Sequence, residues 1–97
     1  MKYQICESLW SKTRGLMFSK KKNLVFVFDE EKRISLHMMF VFFPIDVLFL
    51  DKDKKTIEVK KDFKPFSFYT PKEKARYVIE IAENRRNDYK IGEKIDF

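Results

Sequence analysis

Apolar residues in this chain fall into short runs separated by charged ones, and most of the runs carry the two-residue period of β-strands rather than a helical one. Leu24-Val25-Phe26-Val27-Phe28 is β-branched and aromatic throughout. It is bounded by Lys20-Lys21-Lys22 and Asp29-Glu30-Glu31, which predicts a strand. Residues 34–42 predict a second. There Ile34, Leu36, Met38, Phe40 and Phe42 alternate onto one wholly apolar face, while Arg33, Ser35, His37, Met39 and Val41 form a face that begins polar and ends apolar. Pro44 lacks a backbone donor and stops this strand. In residues 45–50, Ile45, Val47 and Phe49 point one way, against Leu48 and Leu50. A strand that is apolar on both faces is a central one, covered on both sides. A polar turn over residues 51–55 leads back into Thr56-Ile57-Glu58-Val59-Lys60, whose alternation completes a β-hairpin with one wet face.

The remaining segments carry weaker signals. Residues 3–6 suit a short opening strand. Residues 8–18, with Ser8 as N-cap, Leu9, Trp10, Leu16 and Met17 as apolar positions and Gly15 near the end, suit one or two helical turns. Residues 62–74 hold two of the three prolines and Phe63, Phe66, Phe68 and Tyr69, and read as an ordered loop or irregular edge. Residues 76–82 predict a strand with Tyr77, Ile79 and Ile81 on one side. A single helical turn is expected over 83–88, then a turn into a short final strand with Ile95 and Phe97 inward. Short strands with little helix predict a mostly β fold, a small single-domain β-barrel or β-sandwich with one short N-terminal helical segment. A ferredoxin-like α+β fold needs two amphipathic helices, and the pattern supplies at most one.

Composition narrows the class further. A chain of 97 residues, 44% hydrophobic and with 11 Phe, fits one domain spanning residues 1–97 and can bury a core without staples. Abundant aromatics beside 37% charged residues speak against disorder. The single cysteine, Cys6, cannot form an internal disulfide, and the first residues show no apolar leader; the expectation is a soluble, cytoplasmic protein with no membrane association. A net charge of +6 raises the prospect of nucleic-acid binding. Yet 16 of the 21 basic residues are Lys and Glu is common, the bias of heat-adapted proteins with ion-paired surfaces.

Several segments together resemble a known family. Arg14-Gly15-Leu16-Met17-Phe18, the run at 24–28, Met38 followed by Pro44-Ile45-Asp46-Val47-Leu48-Phe49-Leu50-Asp51, then Ala75-Arg76-Tyr77-Val78-Ile79-Glu80-Ile81 and Ile91-Gly92-Glu93-Lys94-Ile95 are similar, in order, to the family called domain of unknown function 192. The last two fall where that family has its y-V-L-E-L strand and its closing G-D-x-V segment. The resemblance implies a compact β fold of barrel or sandwich type and brings no established activity. Many members carry Trp-Met-Lys-Asn-Thr before the Pro-Leu-Asp. Here the matching stretch is His37-Met38-Met39-Phe40-Val41, so the polar groups are replaced by apolar ones.

Asp46 is the most informative candidate, because a carboxylate at the head of a doubly covered strand needs donors or a cation around it. Two readings stand. Asp46 caps backbone amides or pairs with Arg14 as a structural element, or Arg14, His37 and Asp46 line a ligand pocket. No catalytic residue is assigned, and no metal or cofactor is expected: Cys6 and His37 are the only N/S ligands, Asp51 and Asp53 read as a hairpin turn, and two glycines cannot build a phosphate loop, a dinucleotide fingerprint or a nucleophile elbow. The leading expectation is a small binding or accessory module for a small ligand or a protein partner, the latter docking on an exposed apolar loop. The alternative is single-stranded nucleic-acid binding through the basic and aromatic segment 60–72, with Lys60, Lys61, Lys64, Phe66, Tyr69 and Lys72 as contacts. It is not favoured, because 15 acidic residues are spread through the same chain and the rings can complete the core. A small-molecule enzyme of unknown reaction ranks third.

Overall fold

Alternating and fully apolar runs pair as their patterns predict. The computed structural model describes residues 3–6 and 20–97, and the helical segment expected over 8–18 lies outside them. Among the described residues there are seven strands: β1 (Gln4–Cys6), β2 (Leu24–Lys32), β3 (Leu36–His37), β4 (Ile45–Leu50), β5 (Thr56–Phe63), β6 (Phe68–Tyr69) and β7 (Ala75–Ile81). Five form one sheet in the order β1-β2-β7-β4-β5, and β3 and β6 form a separate two-stranded ribbon. β1 runs parallel to β2, and every other neighbouring pair is antiparallel.

Central position follows from apolarity on both faces. All six residues of β4 are buried between β7 and β5, as the run of 45–50 predicts. One face of the sheet carries Leu24, Phe26, Val47, Phe49 and Val78. The turn residues Met38, Val41 and Phe43, with Leu36 and Tyr69 of the ribbon, pack over it. The opposite face carries Val25, Leu48, Leu50, Ile79 and Ile81, covered by Tyr3, Tyr89, Ile95 and Phe97. Each buried side chain of this size removes enough apolar surface from water to contribute roughly 1.5–3 kcal/mol. The β-rich class therefore holds, but the sheet stays open at β1 and β5 and is not closed into a barrel.

The hairpin between β4 and β5 turns on Asp51, whose carboxylate accepts the amides of Asp53 at 2.9 Å and Lys55 at 3.0 Å. Beyond it, the chain's closing segment docks by backbone bonds: Thr56 donates to the Glu93 carbonyl at 2.8 Å, and Ile95 to that of Lys54 at 2.9 Å. Gly92, at φ 90°, supplies the turn. Ile95 and Phe97 point inward as expected, although one bridge, Lys55 to Lys94, stands in place of a full final strand.

Two expectations fail, each for a local reason. The strand expected over 34–42 is only two residues long. Phe40 adopts φ 58°, a left-handed turn that reverses the alternation, so Met38, Val41 and Phe43 point into the core while Phe40 and Phe42 turn outward. The helical turn expected over 83–88 is absent, and no helix occurs among the described residues. Asn23 takes the amides of Ala82 and Glu83 on its side-chain oxygen, both at 2.9 Å, which ends β7 and leaves Asn84 in a left-handed bend. No helix among the described residues is long and apolar enough to cross a membrane.

Candidate functional site

Asp46 owes its surroundings to an irregularity in pairing. Opposite it, the β4–β5 register slips: Ile45 pairs with Phe63 and Val47 with Lys60, so Lys61 and Asp62 together face one residue. An extra residue in one strand leaves an amide without its ladder partner. Asp62, at φ 54°, turns that amide onto Asp46 at 3.0 Å, and the same bulge brings the Lys61 ammonium to the other carboxylate oxygen at 2.9 Å. Arg85, in the loop after β7, adds an ion pair from Nε at 3.3 Å and a second contact from its other end to the Asp62 carboxylate.

The network continues outward. Lys61 also donates to the Arg86 carbonyl and lies over the Tyr89 ring at 5.1 Å. Arg86 grips both oxygens of Glu93 at 2.8 and 3.0 Å and stacks over Tyr89 at 4.7 Å. Asp46 itself is 0% exposed. Burial pushes its carboxyl upward in pKa, but the Asp62 amide, Lys61 and Arg85 outweigh that and hold it below the usual carboxylate range. Hydrogen bonds from Arg85 and Arg86 do the same for Asp62 and Glu93. The carboxylate is ionised, enclosed and engaged on both oxygens by groups of the protein itself. Its chemistry is that of a clamp joining the head of β4, the bulge of β5 and the loop after β7.

The three residues paired with one another in the sequence analysis are not seen to converge. Arg14 lies outside the described residues. His37 sits on β3 in the ribbon, exposed, with its Nδ1 accepting the Met39 amide at 3.3 Å, and it shares no hydrogen bond with Asp46. Among the described residues no three His, Cys, Asp or Glu side chains are gathered as metal ligands would be.

The basic and aromatic segment divides by strand alternation. Tyr69 points inward, its ring 6.0 Å from Phe49 and 6.2 Å from Phe63 and its hydroxyl bonded to Glu58; burial and Glu58 push its pKa up to about 12. Lys60 lies over that ring at 5.4 Å, Lys61 belongs to the Asp46 clamp, and Lys64 pairs with Asp62 at 3.2 Å. Phe66, Phe68, Thr70 and Lys72 point outward. Phe68 is 72% exposed, Phe42 63% and Phe66 47%, and the Phe66 ring meets Phe42 at 5.5 Å and Phe40 at 6.1 Å. Phe68 lies in the segment 60–72 but was not named as a contact, and Phe42, Arg33 and Ser35 were outside the sequence candidates. Reading the parity of Tyr69 and Pro71 as inward would have exposed Phe68.

Glu80 was also missed. It lies at mid-sheet, opposite Leu24 on one side and Val47 on the other, and is 6% exposed. Among the described residues its carboxyl has no hydrogen-bond partner, and burial pushes its pKa up to about 7.

Comparison with known proteins bears on the fold. The profile of the family DUF192, described as Uncharacterized ACR, matches residues 1–97. A UPF0127 protein of Thermococcus sibiricus is 37% identical over 97% of this chain and 64% of its own length; one of Pyrococcus horikoshii is 38% identical over 95% and 84%. The chain thus spans less than two thirds of the length of the first of these relatives. Two crystal structures share the architecture. A protein of unknown function from Novosphingobium aromaticivorans has a TM-score of 0.75 at 16% identity, covering 84% of this chain and 63% of that one. A putative transcription regulator from Sinorhizobium meliloti has a TM-score of 0.76 at 21% identity, covering 82% and 67%.

Proposed function

We propose a binding role for this chain, which belongs to the uncharacterised family DUF192, and place the contact surface on the outer side of the β3–β6 ribbon and the turns beside it. The observation that carries the reading is the cluster of exposed rings at Phe40, Phe42 and Phe66, with the exposed Phe68 two residues further along the chain. Isolated apolar residues on a surface are ordinary, whereas rings gathered in one place mark a contact surface. Their display is also held against a local penalty: Phe66 adopts φ 57° and Phe40 φ 58°, a conformation disfavoured for aromatic residues. The clamp around Asp46, with its donors already engaged, supports the frame rather than a ligand. A reducing, cytoplasmic setting is part of the proposal, supported by the lone Cys6.

The test uses indole as a small aromatic probe, followed by amide chemical shifts of the full chain. Shifts should concentrate on residues 37–42 and 66–70 and leave Asp46, Lys61 and Arg85 unmoved. Shifts centred on the Asp46 clamp, or spread evenly over the molecule, would remove the ribbon as the contact surface.

A further inference from the structure

The ribbon's outer face is organised in rungs. His37 pairs directly with Phe68, and both are exposed, while Leu36 and its partner Tyr69 turn to the core. Two residues along, the hydroxyls of Ser35 and Thr70 meet at 3.3 Å. Two further, Arg33 donates to the Lys72 carbonyl at 3.1 Å, which sets a guanidinium beside an ammonium-bearing residue. At the other end, the Phe66 ring meets Phe42. Successive rungs on one face of a strand lie roughly 7 Å apart. The stripe therefore runs from cations, through hydroxyls, to an imidazole and exposed phenyl rings.

Its charge is one-sided. Residues 33–44 and 64–72 contain no Asp or Glu, although the chain has 15. Of the carboxylates that touch these stretches, that of Asp62 pairs with Lys64 at 3.2 Å, and that of Glu58 is turned onto the Tyr69 hydroxyl and the amides of Lys72 and Glu73.

We propose that this outer face binds single-stranded nucleic acid, with Phe68 and Phe66 stacking on bases and Arg33 and Lys72 holding backbone phosphate. The proposal rests on the binding role given above and names its partner. A single strand repeats an anion and a flat π-face along its length, and every base can stack whatever its identity. An acidic peptide supplies the charge but no repeating flat ring. The assignment keeps Phe66 and Lys72 from the segment singled out in the sequence. It replaces Lys60, Lys61 and Tyr69, which are engaged elsewhere, with residues of the facing strand.

Fluorescence anisotropy with a labelled oligodeoxythymidylate of about 20 nucleotides, long enough for the site sizes such surfaces use, tests it on the full chain. Saturable binding is expected. With two phosphate contacts, affinity should fall roughly five- to tenfold between about 50 and 200 mM salt. Phe68→Ser should weaken binding about tenfold or more while Phe68→Tyr preserves it, with circular dichroism showing both folded. Arg33→Ser should weaken binding, and Lys52→Ser, which removes the same charge at the exposed β4–β5 turn, should not. Absence of binding at low salt overturns the assignment, and so does equal loss in the Lys52 and Arg33 variants, which would reduce the effect to net charge. Ring-dependent binding of poly-L-glutamate with none of the oligonucleotide would place an acidic protein there instead. The indole map separates the two levels: if it still falls on the ribbon, only the nucleic-acid assignment has failed.

Discussion

A carboxylate at 0% exposure and one at 6% exposure face opposite sides of the same sheet, and their surroundings give them opposite consequences. Asp46 is surrounded by donors. Removing one member of an enclosed charge cluster leaves the others desolvated and unpaired, so Asp46→Asn should lower stability by about 3 kcal/mol or more, read by urea denaturation at neutral pH. A midpoint unchanged from the parent would mean the clamp carries no weight. Glu80 lies between Leu24 and Val47 in the sheet and has no hydrogen-bond partner among the described residues, and its burial holds its proton up to about pH 7, against 4.5 ordinarily. A folded-state pKa above the unfolded one means stability is fully present below about 4.5 and is lost as pH rises through about 7, by about 3 kcal/mol in all. Glu80→Gln should remove that decline and be the more stable form at alkaline pH; a parallel decline in the variant would contradict it. The need for donors at Asp46 was legible from a carboxylate ahead of an apolar run. The identity of those donors was not, because Lys61 arrives through a bulge and Arg85 through a loop, and neither is marked by local pattern.

At the scale of elements, alternation and runs apolar on both faces carried β2, β4, the β4–β5 hairpin and β7, whose apolar positions are the ones buried, while the buried carboxylates Asp46 and Glu80 break the pattern. It misled where a left-handed residue intervened. Nothing in Met39-Phe40-Val41 resembles a turn, having neither Gly nor Asn, so the parity of 34–42 was carried straight through and placed Phe40 and Phe42 inside. The same geometry gives a contrast between two neighbouring phenylalanines. Phe66→Gly gives up an exposed ring but relieves a positive φ, so its melting should stay within about 1 kcal/mol of the parent. Phe63→Ala empties a fully buried site and should lose about 3–5 kcal/mol. Equal losses in the two variants would show that the ring cluster is part of the core. The expected helical turn over 83–88 failed through a long-range capture by Asn23, sixty residues away in sequence, which periodicity cannot register.

For the whole molecule, the charge network and Glu80 together set a pH profile. Asp46, Asp62 and Glu93 titrate below their ordinary range, so their contribution is present above the ordinary carboxylate pKa and is lost as pH falls through the depressed values. Glu80 acts in the opposite sense above about 4.5. Thermal melting across pH should therefore show greatest stability near the mildly acidic crossover, and a profile that rises steadily to alkaline pH would contradict this. In the proposed division, stability and recognition occupy different parts of the fold: the clamp ties the sheet to its closing segment, and the ribbon face, with Phe66 and Phe68 exposed, is the proposed contact surface. The most direct measurement of that division is an amide chemical-shift map of the full chain with the oligodeoxythymidylate added at low salt. Perturbations should follow the ribbon from Arg33 and Lys72 to Phe66 and Phe42. A map centred on Asp46, Lys61 and Arg85, or a spectrum that does not change, would contradict it.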